Sequence, residues 1–220
     1  VLSYWAERLV DLYPMILDRY DGDMKRVRKD AKTFMVFPAF YLSQMESIAA
    51  SLKLPIVVAA RMFEEFWDKF RDVRAWQSRM LEFYEKHGYV ETLTGWQRRA
   101  PLSRYMIVNT PIQGTASDLL VDASNRLRVR ALERDRPWLR MVLNVHDDLE
   151  HYVPKKHVDD AIEDIVDVML HPSFEWLSVP LSVEVSVGEN WYDMHEIGVF
   201  SNAEERKVER NKRSQPIRQA

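Results

Sequence analysis

The sequence has 220 residues, of which 46% are hydrophobic, so it can build a substantial core in one large or two small domains. Its net charge of −3 excludes a globally basic nucleic-acid-binding protein, so local clusters of Arg and Lys must bind any anionic partner. There is no cysteine for disulfides or thiolate metal sites and no apolar run near the ~20 residues of a membrane span, which favours a soluble cytoplasmic protein.

The first part of the chain has apolar residues at helical spacing. Residues 3–20 follow this spacing, and residues 23–53 predict a second helical stretch that is disturbed near Pro38. Within the second stretch Arg28 and Lys32 are four residues apart, so a helix would present both on one face.

A long helix and a hairpin are predicted next. Residues 56–87 have the spacing of one continuous helix whose apolar stripe faces a core. Residues 88–101 predict a hairpin that turns at Gly95 and carries Arg98 and Arg99 near its tip.

Two further helices and a last strand are expected in the second half. One helix would begin at Thr110 and Pro111 and end before Pro137. A helix over about residues 155–170 would keep its acids in solvent and bury an apolar stripe made of Val158, Ile162, Ile165, Val166 and Met169. Residues 179–187 alternate as a strand.

Between these helices lies LNVHDDLEHYV, residues 143–153, in which two strand-like runs flank His146, Asp147 and Asp148. The flanking apolar residues predict a partly buried hairpin, and adjacent carboxylates at its end are unfavourable unless a cation lies against them. Mg²⁺ suits such a place, since it prefers one or two carboxylates together with substrate phosphates.

Each of these features also has an ordinary interpretation. Acids favour turns, and an Arg and a Lys four residues apart usually form a solvated helix face. Arg98 and Arg99 are compatible with an exposed hairpin tip, and Asn109 with Gln113 are compatible with a helix-start network.

The order of the motifs is more informative than any one of them. RVRKDAK, GYVETLTG, NTPIQGTASD, VHDDL and VGENW follow one another from Arg28 to His195. In this order they resemble the C-terminal half of a family A DNA polymerase, the family of bacterial DNA polymerase I and related phage replicases.

The resemblance implies an α+β fold, with a mostly helical fingers subdomain and an antiparallel palm sheet with packed helices, as parts of a right-hand polymerase. It divides the chain into a segment leading from an upstream palm (1–22), helical fingers (23–87), a palm with the catalytic hairpin (88–195) and a basic, flexible extension (196–220).

For the nucleotide, the resemblance implies that Arg28 and Lys32 contact the triphosphate, Lys32 as a catalytic residue. The aromatic residues that follow in the family fall on Val36 and Phe40 at strict spacing. If the helix accommodates one extra residue they fall on Phe37 and Tyr41, and we favour this second register.

For the DNA, the resemblance assigns Asn109 and Gln113 to the primer-template, together with basic residues Arg98, Arg99 and Arg104. His146 would lie near the primer terminus.

Asp147 would bind metal beside Asp148, which stands where the family has glutamate. The implied reaction is nucleotidyl transfer with two Mg²⁺ ions, in which Asp147, Asp148 and His146 are catalytic.

The family's other metal-binding aspartate lies in an upstream DYSxxE segment that this sequence lacks. We therefore expect the chain to begin just after that segment, to be inactive alone and to share both ions with that aspartate. The partner would be a second polypeptide that carries the upstream palm, the thumb and, in some systems, an exonuclease domain. An apolar face with Trp5 and Leu9 would meet this partner.

Two alternatives remain open: a catalytically inactive, polymerase-derived module that binds DNA or a replisome protein, and a fragment of a single-subunit RNA polymerase. Retention of Arg28, Lys32, Gln113 and Asp147 disfavours the first, because an inactive module needs no triphosphate ligands. QGTASD and VGENW resemble the DNA enzymes more closely, which disfavours the second. A phage source, acting in the host cytoplasm, is consistent with a split replicase.

Overall fold

The computed structural model describes residues 2–203. The fold is α+β, as the resemblance implies, with helices predominating over short antiparallel sheets. The chain forms two compact units, one up to Gly114 and one that begins at Thr115. The expected boundary between fingers and palm after residue 87 stays a prediction.

The helices of the first unit are α1 (Leu2–Leu12), a 3-10 helix (Pro14–Tyr20), α2 (Met24–Ala31), a first π-helix (Lys32–Val36), α3 (Phe37–Phe40), α4 (Met45–Leu52), α5 (Ile56–Lys69) and α6 (Arg71–His87). The helix predicted over residues 56–87 is therefore interrupted at Phe70, where the backbone leaves helical geometry (φ −116°, ψ 36°). The Phe70 ring lies 5.1 Å from the ring of Phe40, so the break places an aromatic side chain in the core.

The first helix belongs to the core of this unit. Trp5 is fully buried and its ring centroid lies 5.2 Å from that of Phe66, and Leu9 is buried beside it. The expectation that Trp5 and Leu9 form an exposed partner face is therefore wrong. Helical spacing identifies the apolar side of α1, but only the packing of α5 shows what covers it.

The unit continues with β1 (Tyr89–Glu91) and β2 (Gln97–Arg99), then α7 (Arg104–Asn109) and a second π-helix (Thr110–Gly114). The hairpin agrees with the sequence prediction, but the expected position of Arg98 and Arg99 near its tip is wrong, because they pair with Val90 and Tyr89 on the side away from the Gly95 turn. The helix expected to begin at Thr110 begins earlier, because Ser103 caps α7 by accepting a hydrogen bond from the Met106 amide at 3.3 Å.

The second unit contains α8 (Thr115–Glu133), β3 (Arg140–Val145), β4 (Asp148–Tyr152), a 3-10 helix (Lys155–His157), α9 (Val158–Leu170), β5 (Ser182–Val187), a 3-10 helix (Trp191–Asp193) and β6 (His195–Ser201). β3 pairs with β4 and β5 with β6, each pair antiparallel. The predicted partial burial of the β3–β4 hairpin is wrong for most of β3, since Met141, Val142 and Leu143 are all exposed.

The acids of α9 were all expected in solvent, and this expectation is wrong for Asp164. Asp164 is fully buried, whereas Val158, Ile162 and Val166 are only partly buried. Arg134 and Arg136 donate to its two carboxylate oxygens at 2.5 and 2.8 Å, respectively, which compensates the loss of water. This network joins α9 to the segment that follows α8.

The expected flexible extension from residue 196 is wrong at its start, because residues 196–201 lie in β6. Val183 of β5 pairs with Phe200, and Asn202 is buried, with its amide donating to the Leu170 carbonyl at 2.6 Å. The rest of that extension, residues 204–220, lies outside the described residues. Within residues 2–203 no helix is both long and apolar enough to cross a membrane.

Candidate nucleotide and nucleic-acid site

Arg28 and Lys32 lie one helical turn apart in the first unit. Asp23 fixes the start of their helix by accepting a hydrogen bond from the Lys25 amide at 2.8 Å. Both basic side chains are exposed, and neither makes a salt bridge to any residue between 2 and 203. Two unneutralised cations on one helix face can hold an anion such as a phosphate chain.

The first π-helix decides which aromatic residues share that face. A π-helix accommodates one more residue than an α-helix, so it supplies the extra position that the second register requires. Val36 is buried in the core, whereas Phe37 is exposed and its ring centroid lies 5.1 Å from Lys32 Nζ. This arrangement supports the second register, in which Phe37 rather than Val36 lies beside Lys32.

Tyr41, the second aromatic residue of this register, is half-buried. Its ring centroid lies 5.2 Å from that of Tyr105 on α7. The pKa of Tyr41 is raised, mainly because the side chain is partly buried and secondly because Tyr105 is near. Phe40, the residue before Tyr41, accepts a hydrogen bond through its carbonyl from the side chain of the buried Gln77 at 2.6 Å. This bond holds the end of α3 against α6. The contact with Tyr105 was not predicted, since no spacing in the sequence relates residues so far apart.

Asn109 and Gln113 are brought together across the second π-helix. The Asn109 side-chain amide donates to Gln113 Oε1 at 2.7 Å. Asn109 is buried and its Oδ1 has no hydrogen-bond partner among the described residues, whereas Gln113 is exposed. A buried acceptor with an unmet bond beside an exposed amide is suited to a polar ligand.

The hairpin β1–β2 is held tightly against this second π-helix. A Cβ added to Gly114 would approach Thr92 Cγ2 to 2.6 Å, so only glycine allows the observed contact. On the hairpin the Arg99 guanidinium lies 5.5 Å from the Tyr89 ring centroid and donates to Gln97 Oε1 at 2.9 Å. Arg98 and, at the start of α7, Arg104 are exposed.

His146 and Asp147 form the two-residue turn of the β3–β4 hairpin, because Val145 pairs with Asp148. His146 has φ +56°, a left-handed conformation that is usual for glycine at this place and costs other residues roughly 1–2 kcal/mol. Such strain is concentrated at functional sites. His146, Asp147 and Asp148 are all exposed.

The two carboxylates at this turn can supply only some of the ligands that a metal site needs. Asp147 and Asp148 supply the one or two carboxylates that Mg²⁺ takes in phosphate-binding sites. No group of three or more His, Asp or Glu residues that could hold a metal is found anywhere in residues 2–203. Asp147 and Asp148 are therefore the residues of this turn that would hold Mg²⁺, as one part of its ligand set.

The sequence profile of DNA polymerase family A matches residues 17–193. DNA polymerase I of Chloroflexus aurantiacus is 33% identical over 199 residues, which cover 86% of this chain and 20% of that protein. The thermostable DNA polymerase I of Thermus aquaticus is 34% identical over 183 residues, covering 77% of this chain and 21% of that one. The chain thus spans about a fifth of the length of these relatives.

Among solved structures, the fold is similar to the POL domain of Pol1 from M. smegmatis, determined in complex with DNA primer-template and dNTP. The TM-score is 0.62 at 22% identity, over 76% of this chain and 30% of that one, so this likeness supports the fold alone. The match to the family profile covers most of the sequence, and the chain belongs to DNA polymerase family A.

Proposed function

We propose that this chain forms the nucleotide-binding and primer-end part of a template-directed DNA polymerase, which adds deoxynucleotides to a primer 3′-hydroxyl. Residues 23–87 act as fingers and residues 88–195 as the palm. Primer-template DNA and deoxynucleoside triphosphates are the substrates. Membership in family A favours this function over a fragment of an RNA polymerase.

The observation that carries the proposal is the state of Arg28 and Lys32. Both are exposed on one helix face without an acidic partner among the described residues, and the Phe37 ring lies beside Lys32. A triphosphate would pair with the two cations while the aromatic ring contacts the base or sugar. Tyr41 lies one turn beyond Phe37 and would complete that face.

Asp147 and Asp148 would hold Mg²⁺ at the primer end, with His146 next to the 3′-terminus. Bound there, Mg²⁺ would supply positive charge to the attacking hydroxyl and to the departing pyrophosphate. Gln113 and Asn109 would contact the primer-template, with Arg98, Arg99 and Arg104 on its phosphates.

Because two carboxylates do not complete a two-metal site, we propose that a second polypeptide supplies the remaining aspartate. The exposed apolar residues Met141, Val142 and Leu143 of β3 support packing by a further palm segment, since an isolated two-stranded hairpin is only marginally stable. That polypeptide would also carry the thumb.

Primer extension with Mg²⁺ and deoxynucleotides tests the proposal, with the chain alone and with a polypeptide that carries the upstream palm. We expect synthesis only in the mixture, and a loss of about 10²- to 10³-fold or more with Asp147→Asn. Asp159→Asn, on the exposed side of α9, is the matched control and should retain full activity.

Other outcomes separate the alternatives. Synthesis by the chain alone would remove the need for the second polypeptide, and synthesis by the Asp147→Asn mixture would overturn the metal assignment. Template binding by the mixture without synthesis under any condition would favour an inactive DNA-binding module. Incorporation of ribonucleotides in preference to deoxynucleotides would favour an RNA polymerase.

A further inference from the structure

We propose that the tip of the β1–β2 hairpin is a stacking platform for an unpaired nucleotide, with the Trp96 indole against the base and Arg98 on the adjoining phosphate. This inference rests on the proposed function only in taking the partner to be a nucleic acid. Neither the order of the motifs nor the roles proposed above use Trp96.

The indole of Trp96 is the main apolar surface of the tip. It is 57% exposed, and Leu93 on the other side of the turn is 67% exposed. Both side chains therefore leave most of their surface in solvent at the end of a short hairpin. An exposed aromatic ring with a neighbouring cation is typical of surfaces that bind single-stranded nucleic acid.

The tip is rigid even though it is exposed. Thr92 is buried, its Oγ1 accepts a hydrogen bond from the Trp96 amide at 3.1 Å, and it shares another with Thr94 Oγ1 at 2.8 Å. The Thr92 amide donates to the Trp96 carbonyl at 2.9 Å, and Gly95 takes the left-handed conformation (φ +93°) that closes the turn. The Trp96 backbone is therefore fixed before any ligand binds, which lowers the entropic cost of stacking.

This rigid tip is anchored next to the proposed primer-template contact. Thr92 packs directly on Gly114, the last residue of the second π-helix, which also carries Gln113. A nucleic acid that meets Gln113 would therefore have the hairpin as a neighbour within the same unit.

The charge of the hairpin favours a nucleic acid over a protein partner. Trp96 directly precedes β2, and the alternation of β2 continued by one residue would place Trp96 on the same side as Arg98, which makes no salt bridge within residues 2–203. Glu91, the acid of β1, lies on the other side of the hairpin, where it accepts a hydrogen bond from Gln97 at 3.3 Å. The Trp96 side thus combines an aromatic ring with an unneutralised cation, which matches a base and its phosphate.

Unpaired nucleotides fit this surface better than duplex DNA. The faces of paired bases are covered by their neighbours in the stack, whereas an unpaired base offers its π-face to the indole. The phosphate interaction alone would be shared by both forms. A preference for single strands that depends on Trp96 is therefore the distinguishing property.

The test uses the full chain and fluorescence anisotropy of labelled oligothymidylate of about 12 nucleotides, with a duplex of equal length as the comparison. We expect Trp96→Ala to weaken single-strand binding by about 5- to 150-fold and Trp96→Phe to restore most of it. Arg98→Ala should reduce the slope of log affinity against log salt by about 0.7. Trp191→Ala, at a tryptophan of similar exposure, should bind as the parent chain does.

Two results would overturn the inference: unchanged oligothymidylate binding by Trp96→Ala, or an equal loss with Trp96→Ala for single-strand and duplex DNA. Repeating the measurement with oligouridylate distinguishes RNA from DNA as the ligand. A preference for either single strand that depends on Trp96 supports the stacking platform. Binding of oligothymidylate requires no metal-dependent chemistry. Failure of primer extension in every mixture would therefore count against the proposed function while this binding experiment still decides the role of Trp96.

Discussion

The Asn109 side-chain amide donates to Gln113 Oε1 at 2.7 Å across the second π-helix. This bond leaves the Gln113 amide nitrogen as an exposed donor and the buried Asn109 Oδ1 as an unmet acceptor within the described residues. The first π-helix, Lys32–Val36, likewise sets the register of Phe37. Two of the segments that the family resemblance assigns to substrates therefore contain a π-helix, a feature that occurs frequently at functional sites.

Gln113→Ala tests the first of these segments. The Gln113 side chain is exposed and makes one hydrogen bond in the described fold, so we expect the free energy of unfolding to fall by about 1 kcal/mol or less. Primer-template affinity should fall by about 2- to 10-fold, the value of one polar contact. Urea unfolding and anisotropy with labelled primer-template measure the two effects. Ile112→Ala, at the exposed neighbour, should leave affinity unchanged, and equal losses in both variants would contradict the role of Gln113.

Phe37→Ala and Val36→Ala test the register set by the first π-helix. Val36 is buried, so its truncation should lower the free energy of unfolding by about 2 kcal/mol. Phe37 is exposed, so its truncation should change stability by about 0.5 kcal/mol or less but raise the KM for deoxynucleotides by about 10-fold, through lost stacking. Thermal unfolding and steady-state primer extension by the reconstituted mixture separate the two. A raised KM with Val36→Ala and an unchanged KM with Phe37→Ala would instead favour the strict register with Val36 and Phe40.

Asp164→Asn tests the buried ion network of the second unit. The substitution leaves Arg134 and Arg136 beside a neutral amide, and we expect a loss of about 3 kcal/mol in the free energy of unfolding. Asp159→Asn is the matched control on the exposed side of the same helix and should stay within about 0.5 kcal/mol of the parent chain. Equal stability of the two variants would show that the network contributes nothing to the fold.

The pair of Arg8 and Glu65 predicts a pH dependence for the first unit. Arg8 donates to both carboxylate oxygens of Glu65 at 2.6 and 2.7 Å, and this hydrogen bonding holds the pKa of Glu65 below its ordinary value. Because the folded pKa is the lower one, the stabilisation is fully present above the ordinary carboxyl pKa and is lost as the pH falls through the folded value.

Glu65→Gln should therefore unfold at a lower temperature than the parent chain at neutral pH, and the difference should close in the acidic range. Calorimetry across that range measures the gap in Tm. Glu64→Gln, at the exposed adjacent position, is expected to show no such closing difference. A constant gap for Glu65→Gln at all pH values would show that the carboxylate charge is not its cause.

The sequence by itself determined the family and the order of the elements. The motifs from RVRKDAK to VGENW are local, and so are the signals for the β1–β2 hairpin and for α9, since turn residues and apolar spacing act over a few positions. The clustering of His146, Asp147 and Asp148 at a turn followed from the same short-range pattern.

Only the tertiary structure decided which apolar faces are covered and which charges are buried. Trp5 is buried because Phe66 packs against it from a helix far along the chain, while Val142 on β3 is exposed because no described element covers it. Asp164 is buried because Arg134 and Arg136 reach it across 30 and 28 residues of sequence. Spacing along a chain shows which side of an element is apolar, but the free energy of burial depends on the neighbours that folding brings to that side.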